Sequence, residues 1–388
     1  MRPKSNAVVF VGMVYPGGIV RHLALLGAEI AKCGLEADYY FASISGDREK
    51  GAWDAVRANV PLASIIETKT FGELAEACDR LFDLHDKVLI HCGGGWGQTK
   101  HFIPLRQKYG KRLILVGTTH SYRHDSWLRI PMSVFQAFLY WRYYDMIVFQ
   151  CQYAADRFWG ARLLLGRKKA VIIPLGCESF EDDGENPPPG IAVKKQLCGL
   201  LADKSLFKFV YLAAFRPGKM HAWLVHAITP ILKQFSNARV LFCGSGDDDV
   251  VRSVREAIRC SGVEDQILLP GRISRDEVPW LLAHCDCAVV PSRAETFGHN
   301  FLEPMFAGLP VLGTRVGVGC DIIKEGETGY SIDLRNPRSV SAAAESLVAD
   351  PAKTKRMGMN AKARVVCAYR HSDVAEKLTA LYEQLLDE

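Results

Sequence analysis

Short apolar runs alternate with amphipathic stretches of helical length along the first half of the chain. The apolar runs that predict buried strands lie at 7–13, 38–42, 87–92, 112–118, 146–149 and 170–174. The segments between them, such as 20–33 and 73–84, have the periodicity of amphipathic helices. Alternating strands and helices are typical of a parallel sheet wound on both faces. The first half is therefore predicted to be a Rossmann-like α/β domain.

The second half repeats this alternation. Its predicted strands lie at 207–214, 238–244, 266–271, 287–292 and 310–314. Its predicted helices lie at 221–235, 247–260, 276–284, 301–307, 338–349, 352–368 and 372–387. Between the halves, 172–191 is acidic and then proline-rich, as linkers are. We predict a domain at 1–178, a linker at 179–204 and a domain at 205–369, with a ligand cleft between two doubly wound sheets.

Composition restricts the function classes further. The 388 residues are 48% apolar with a net charge of +5, which suits an anionic small ligand or membrane surface and is too small for a nucleic-acid-binding protein. The twelve cysteines are scattered, as buried thiols are in a reducing compartment. His284-Cys285-Asp286-Cys287 has no second cluster at zinc spacing, so no metal site is predicted. Neither a secretory signal nor a bilayer-spanning run occurs, so we expect a cytoplasmic protein, soluble or peripheral.

Two glutamates are the most distinctive polar feature. Glu295 and Glu303 lie between two predicted strands, near the carboxyl end of the first, where open α/β sheets bind ligands. Backbone amides at the start of the helix between these strands can bind an anion. They belong to Gly298, His299, Asn300 and Phe301. Carboxylates accept hydrogen bonds from vicinal hydroxyls. Alone, the glutamates are typical of solvated helix charges; in this position they favour a sugar nucleotide as the ligand.

A cationic turn follows the first strand of the second half. Arg216 and Lys219 lie on it, in the sequence Phe-Arg-Pro-Gly-Lys, just before a predicted helix. Arginine can bind phosphate through two parallel hydrogen bonds, and lysine adds a point charge. The alternative is a solvated turn. With the glutamates in the same sheet, we favour a diphosphate site.

Two weaker signals fall in the first half. Gly17 and Gly18 form a loop after the first strand, where backbone can approach a ligand closely, although such turns are also ordinary connections. His120 follows a strand end, where it could contact a sugar or phosphate or serve as a structural histidine. No G-x-G-x-x-G occurs, so a nicotinamide dehydrogenase is the weakest alternative.

The stretch 127–149 is rich in aromatic residues, and 157–169 is rich in basic ones. Together they could place the protein on a membrane surface. The alternative, which the sequence favours, is a buried helix with a solvated end.

These segments together resemble the GT-B fold glycosyltransferases of family 4 (glycosyl transferases group 1), the retaining type with an E-x7-E motif. The similarity spans nearly the whole chain. It rests on PGGIVRHLALLGAEIAKCG, TTH and VIIPLGCES in the first half, and on LFCGSGDDD, ILLPGRIS and VVPSRAETFGHNFLEPMFAGLPVLGT in the second. The implied fold is two Rossmann-like domains facing a central cleft, with the last helix (370–388) packing back on the first domain.

The resemblance also implies a role for each matching residue. Glu303 would bind the ribose diol, and Glu295 a hydroxyl of the donor sugar. Arg216 and Lys219 would neutralise the diphosphate leaving group. His120 would contact the donor near the reacting carbon. The remaining donor-binding positions would act mainly through backbone atoms: Gly17, Gly18, Arg272, Ile273, Gly298, His299, Asn300 and Phe301.

The implied reaction transfers a hexose-type sugar from a UDP- or GDP-sugar to a glycan, lipid-linked or small-molecule acceptor, with retention and without a metal or cofactor. The departing phosphate would serve as base. Peripheral membrane contact stays open, and no nucleic acid is expected. Alternatives are an epimerase or phosphorylase on the same fold, and a non-catalytic subunit that binds sugar nucleotides.

The chain departs from the family pattern at Pro304, where alanine is usual after the second glutamate. Proline inside a helix removes a donor and clashes with a preceding carbonyl unless it lies in the first turn. We therefore predict that the regular helix starts close to Glu303 and leaves the amides before it for the ligand.

Overall fold

The computed structural model contains two compact units. The first comprises Met1–Gly176 and Tyr369–Glu388, and the second comprises Cys177–Ala368. The residues that the structure describes are 5–12, 19–44, 63–93, 96–119, 130–158, 160–177, 187–192 and 194–388. Among these residues, no helix combines the length and the apolar character needed to cross a membrane.

The first unit is built on a seven-stranded sheet with the strand order β3-β2-β1-β4-β5-β6-β7. All its pairings are parallel. The strands are β1 (Asn6–Gly12), β2 (Ala37–Ile44), β3 (Ser64–Thr68), β4 (Val88–Cys92), β5 (Leu113–Thr118), β6 (Met146–Phe149) and β7 (Ala170–Ile172). The helices are α1 (Ile19–Lys32), α2 (Phe71–Leu81), α3 (Trp96–Tyr109), α4 (Ile130–Tyr143), α5 (Gln152–Arg157) and α6 (Ala161–Gly166).

The second unit is built on a six-stranded parallel sheet with the order β10-β9-β8-β11-β12-β13. Its strands are β8 (Phe207–Leu212), β9 (Ala238–Cys243), β10 (Ile267–Gly271), β11 (Cys287–Val290), β12 (Val311–Thr314) and β13 (Gly329–Ile332). Its helices are α7 (Pro189–Ala192), α8 (Lys195–Ala202), α9 (His221–Gln234), α10 (Asp248–Ser261), α11 (Val278–Ala283), α12 (His299–Phe306), α13 (Gly319–Ile322), α14 (Arg338–Val348) and α15 (Pro351–Val366).

The last helix, α16 (His371–Asp387), belongs to the first unit. It shares a buried apolar cluster with α1 and with one face of the sheet, in which Tyr382 packs against Phe10. The second face of that sheet is covered by α2 to α6, through a separate cluster that includes Leu74 and Phe102. The first sheet is therefore buried on both faces, as a parallel sheet must be.

The prediction of two doubly wound parallel-sheet domains is confirmed, with three local differences. The strands β3 and β13 were not predicted. The range 179–204, predicted as linker, contains α7 and α8 and belongs to the second unit. The buried side chains of Ile191, Leu197 and Leu201 explain why this segment folds with that unit.

Candidate functional site

The candidate site lies at the carboxyl edge of the second sheet. Strand β8 has β9 on one side and β11 on the other, so the loops after β8 and β11 leave the sheet at the point where the strand order reverses. Open α/β sheets bind ligands at this point. The loop after β8 contains Arg216 and Lys219, and the loop after β11 contains Glu295.

These two loops are hydrogen-bonded to each other. The amide of Arg293 donates to the carbonyl of Gly218 over 2.8 Å. The hydroxyl of Tyr211, on β8, donates to the carbonyl of Lys219 over 2.8 Å. Hydrogen bonds to main-chain carbonyls therefore hold these loops in addition to the side-chain ion pairs.

Glu295 is the centre of a polar cluster. Its Oε1 atom accepts hydrogen bonds from Lys219 Nζ, from Ser292 Oγ over 2.6 Å and from Asn300 Nδ2 over 3.3 Å. The Glu295 side chain is only 12% exposed, so its ion pair with Lys219 is largely shielded from water. All three donors reach the same oxygen, which leaves Oε2 as the oxygen that could accept a hydroxyl from a ligand.

Glu303 has the same arrangement with a different cation. Its Oε1 accepts from Nη1 of Arg275, and its side chain is also 12% exposed. Arg275 begins a short 3₁₀ helix whose cap is fixed by Ser274 and Glu277, because the Glu277 carboxylate accepts from the Ser274 amide over 2.8 Å. Glu295, in the loop after β11, and Glu303, in the helix that follows, thus each have Oε1 bound to a cation. In both residues the cation does not contact Oε2.

The helix that contains Glu303 has Gly298 as its N-cap. Gly298 has φ +99°, a left-handed backbone conformation that residues with a side chain rarely adopt. A Cβ at this position would also lie 2.9 Å from the ring of Phe301. The helix α12 then runs from His299 to Phe306, and the Phe301 amide donates to the Gly298 carbonyl over 3.0 Å.

The prediction that this helix starts close to Glu303 is wrong. Pro304 lies inside α12, where it removes one hydrogen-bond donor. Burial of Phe301, Leu302 and Met305 offsets that loss. The amides of the first turn still have no carbonyl four residues earlier in the helix, as at every helix start. An anion site at this position therefore remains compatible with the fold.

The loop after β10 contains Arg272 and Ile273. Ile273 is buried and Arg272 is exposed, with its carbonyl accepting from Lys194 Nζ over 2.6 Å. The contact between this loop and Glu303 is made by Arg275, which lies two residues after Ile273.

Arg216 is exposed, and no ion pair joins it to any residue in the described part of the chain. Gly17, Gly18 and His120 lie outside the described residues. In the ranges that the structure describes, no group of three or more His, Cys, Asp or Glu could hold a metal ion.

His221 packs against Phe215 at the base of the loop that contains Arg216 and Lys219. It follows the loop at the start of α9 and is buried, with its ring stacked on Phe215 at 4.3 Å. Burial, and then the nearby Lys219 ammonium, lower the pKa of His221 from 6.5 to about 4. The ring is therefore neutral at pH 7 and acts as an aromatic packing group.

Two groups at this site were not predicted from the sequence. Ser292, which is buried, bonds Glu295, and Arg275 pairs with Glu303. Ser292 is the last residue of one predicted strand and Arg275 lies four residues after another, and those positions were the available signal. A serine or arginine after a strand is common, so the signal alone could not distinguish them.

The second unit is similar in sequence to a known family. Residues 199–364 match the family model of Glycosyl transferases group 1, which covers most of the second unit and all four residues of the two ion pairs. The second unit is therefore similar to the group 1 glycosyltransferases.

Two curated relatives illustrate the similarity. The chain is 28% identical over 177 residues to N-acetyl-alpha-D-glucosaminyl L-malate synthase of Bacillus anthracis, which is 46% of this chain and 45% of that protein. It is 25% identical over 242 residues, 60% of each chain, to a GDP-mannose-dependent alpha-(1-6)-phosphatidylinositol monomannoside mannosyltransferase of Mycobacterium tuberculosis. The matches span about half of the length of these relatives.

The similarity in fold covers nearly the full length of the chain. The crystal structure of Anabaena Alr3699/HepE in complex with UDP and glucose matches with a TM-score of 0.73, covering 97% of this chain and 99% of that one at 18% identity. At this identity the likeness shows the fold, which is the GT-B type of two parallel-sheet α/β domains.

Proposed function

We propose that this protein is a glycosyltransferase that moves a hexose-type sugar from a nucleotide diphosphate sugar to an acceptor hydroxyl, with retention of anomeric configuration. The donors we favour are UDP- and GDP-sugars. The HepE structure contains UDP, and the mycobacterial relative is described as GDP-mannose-dependent. The acceptors we favour are glycans, glycolipids and lipopolysaccharide.

One observation carries this proposal. Glu295 and Glu303 each bind a cation through Oε1, at the strand-order reversal of a sheet that matches the group 1 family. Nearly buried carboxylates with an unused oxygen are suited to accept hydrogen bonds from sugar hydroxyls. In the proposed complex Glu303 binds the ribose diol and Glu295 binds the donor sugar.

The cations would stabilise the leaving group. Lys219 is paired with Glu295 in this structure, and a diphosphate would bring a second anion to the same ammonium. Arg216 is exposed on the same loop and would add a bidentate contact. Together with the first-turn amides of α12, they would stabilise charge as it builds on the departing phosphate. The fixed cations make a metal unnecessary in this proposal.

The remaining assignments rest on the resemblance. We propose that Gly17, Gly18 and His120 contact the donor from the first unit, and that Arg272 and Ile273 frame the base. A reducing, cytoplasmic location is part of the proposal, and the twelve cysteines, none of which is in a disulfide, fit it.

Nucleotide binding gives the first test. A thermal-shift and calorimetric series with UDP, GDP, ADP, CMP and dTDP should identify one preferred base. Glu303→Ala should weaken binding of that nucleotide at least about tenfold, since a hydrogen bond to a charged group contributes roughly 1.5–3 kcal/mol. Unchanged affinity in Glu303→Ala would refute the ribose contact.

Turnover gives the second test. With the matching sugar nucleotide and a panel of acceptors, Lys219→Ala should lower kcat by roughly 10²–10³, as loss of one electrostatic group does elsewhere. The control is Lys355→Ala, an exposed lysine on α15. Conversion of the donor without any acceptor would instead support an epimerase. Binding without turnover on any acceptor would support a non-catalytic subunit.

A further inference from the structure

One face of helix α4 exposes large apolar side chains. Their exposed fractions are 37% for Val134, 42% for Phe135, 51% for Phe138 and 44% for Trp141. Residues three, four and seven apart share a side of a helix, so the four form one surface, the α4 patch. The rings of Phe138 and Trp141 lie 6.3 Å apart.

The fold does not require this patch. The opposite side of α4 already anchors the helix, because Ala137 and Tyr140 are buried and the Tyr140 ring stacks on Phe158 at 5.6 Å. Single exposed apolar residues such as Leu84 are normal on protein surfaces. Four on one face of a 14-residue helix indicate an interaction surface.

The surroundings of the patch are basic. Residues 130–177 contain six Lys or Arg and two Asp or Glu. One of the acids, Asp145, is neutralised by a two-bond ion pair with Arg106 at 2.7 and 2.8 Å. Exposed Arg142 lies on α4 itself. Helix α6 starts beside α4, as shown by the distance of 3.0 Å between a Cβ built on Gly160 and the Ala137 Cβ. The first turn of α6 contains exposed Arg162.

We propose that the α4 patch docks the first unit on an anionic lipid surface. Tryptophan and phenylalanine are favoured at the boundary between headgroups and acyl chains, and arginines beside them add attraction to anionic headgroups. A second copy of this chain is the less favourable occupant. A two-fold symmetric contact would bring the same basic surfaces together, and like charges facing each other oppose association.

The proposal is independent of the catalytic site and is tested with the full chain and vesicles. The protein should float with vesicles of phosphatidylglycerol in phosphatidylcholine, and much less with phosphatidylcholine alone. The double variant Phe138→Ser with Trp141→Ser should bind at least about tenfold more weakly, because it removes two half-exposed aromatic anchors. Arg142→Gln should weaken binding only to the vesicles that contain phosphatidylglycerol.

Leu84→Ser is the matched control, because Leu84 is 63% exposed in the first unit and lies outside α4. It should bind vesicles like the unmodified protein. Equal vesicle binding by the double variant, or no flotation of the unmodified protein, would overturn the proposal. The proposal would also be overturned if sedimentation showed a dimer that the double variant abolishes while flotation persists, because the α4 patch would then be a dimer interface. Nucleotide binding, measured without vesicles, should be unchanged in the double variant, so failure here is separable from failure of the proposed function.

Discussion

The Arg275–Glu303 ion pair joins the loop after β10 to helix α12. It uses Oε1 of a carboxylate that is nearly buried, so Arg275 both orients the carboxylate and compensates its charge. If Glu303 binds the ribose diol, Arg275 is a positioning residue for that contact. Its role is then to hold the second oxygen toward the ligand.

We expect Arg275→Ala to weaken nucleotide binding by about tenfold, the loss expected when one charged hydrogen bond no longer supports the site. The specific readout is the affinity ratio between the preferred nucleotide and its 2′-deoxy analogue, which should shrink toward one in the variant. Arg335→Ala, at an arginine that is 92% exposed, should leave both affinities unchanged. A preserved ratio in Arg275→Ala would mean that Arg275 does not act through Glu303.

His221 makes the stability of the second unit depend on pH. Its pKa is about 4 in the folded protein and 6.5 unperturbed, so below pH 6.5 the unfolded state takes up a proton that the folded state does not. The stability that the second unit gains from keeping His221 neutral is complete above pH 6.5. It is lost progressively as the pH falls toward 4. From this group alone the loss at pH 5 is about 2 kcal/mol.

His221→Phe should remove this dependence, since phenylalanine can stack on Phe215 and does not titrate. Urea unfolding at pH 7.5 and pH 5 measures the effect. The difference in unfolding free energy between the two pH values should be smaller in the variant by about 2 kcal/mol. Parallel pH profiles for the two proteins would show that His221 is not the titrating group.

At the scale of elements, a series of hydrogen bonds between side chains joins α16 to the ends of β4 and β5. The hydroxyl of Tyr382 is bonded to Nδ1 of His91, and Nε2 of His91 lies 2.6 Å from Oγ1 of Thr118. Tyr382 is fully buried, and burial raises the pKa of its hydroxyl, so the phenol stays protonated and can either donate to Nδ1 or accept from it. Whichever ring nitrogen of His91 carries the proton, these hydrogen bonds end at Thr118, two residues before His120 in the sequence.

Tyr382→Phe removes the hydroxyl that is hydrogen-bonded to Nδ1 of His91 and leaves that nitrogen without this partner. We expect the first unit to lose about 1–3 kcal/mol of stability. If His120 contacts the donor, turnover should fall while nucleotide affinity stays the same. The control is Tyr39→Phe, which removes a hydroxyl bonded to the Leu35 carbonyl over 3.1 Å. A turnover loss of equal size in both variants would indicate a general effect on folding.

The elements that sequence pattern could predict are those with a full apolar signal. Strands such as β5 and β11 are buried at every position and were found. The strand β3, Ser-Ile-Ile-Glu-Thr, lies at the end of the strand order with two exposed positions, so it has neither a continuous apolar run nor clean alternation. The strand β13 has only four residues and is also terminal. Such strands depend on pairing with a neighbour, which no local window contains.

The candidate site shows the same limit for side chains. The pattern of strands and helices predicted that Lys219 and Glu295 lie in loops after strands and that Glu303 lies in the connection after the second of these strands. Their partners did not, because the Lys219–Glu295 and Arg275–Glu303 pairs join residues 76 and 28 positions apart. The rotamers of long side chains are set by packing and not by local sequence. Sequence therefore predicted which loops converge, and the structure supplied which oxygen each cation uses.

At the scale of the whole molecule, the first unit is discontinuous in sequence. Its sheet is completed on one face by α16, which comes after the entire second unit. The apolar side chains that α16 buries there include Val374, Leu378, Tyr382, Leu385 and Leu386. The second unit, by contrast, is one continuous segment and needs no residue from either end of the chain for its sheet.

Deleting 369–388 should therefore unfold the first unit selectively. Full burial of one large apolar side chain contributes roughly 1.5–3 kcal/mol, so losing five of them removes about 10 kcal/mol, comparable to the whole stability of a domain. In calorimetry the truncated chain should lose the transition of the first unit and keep that of the second. Hydrogen exchange should show amides of β1 and β4 unprotected and those of β8 and β9 protected. A truncated chain with both transitions intact would show that α16 does not hold the first sheet together.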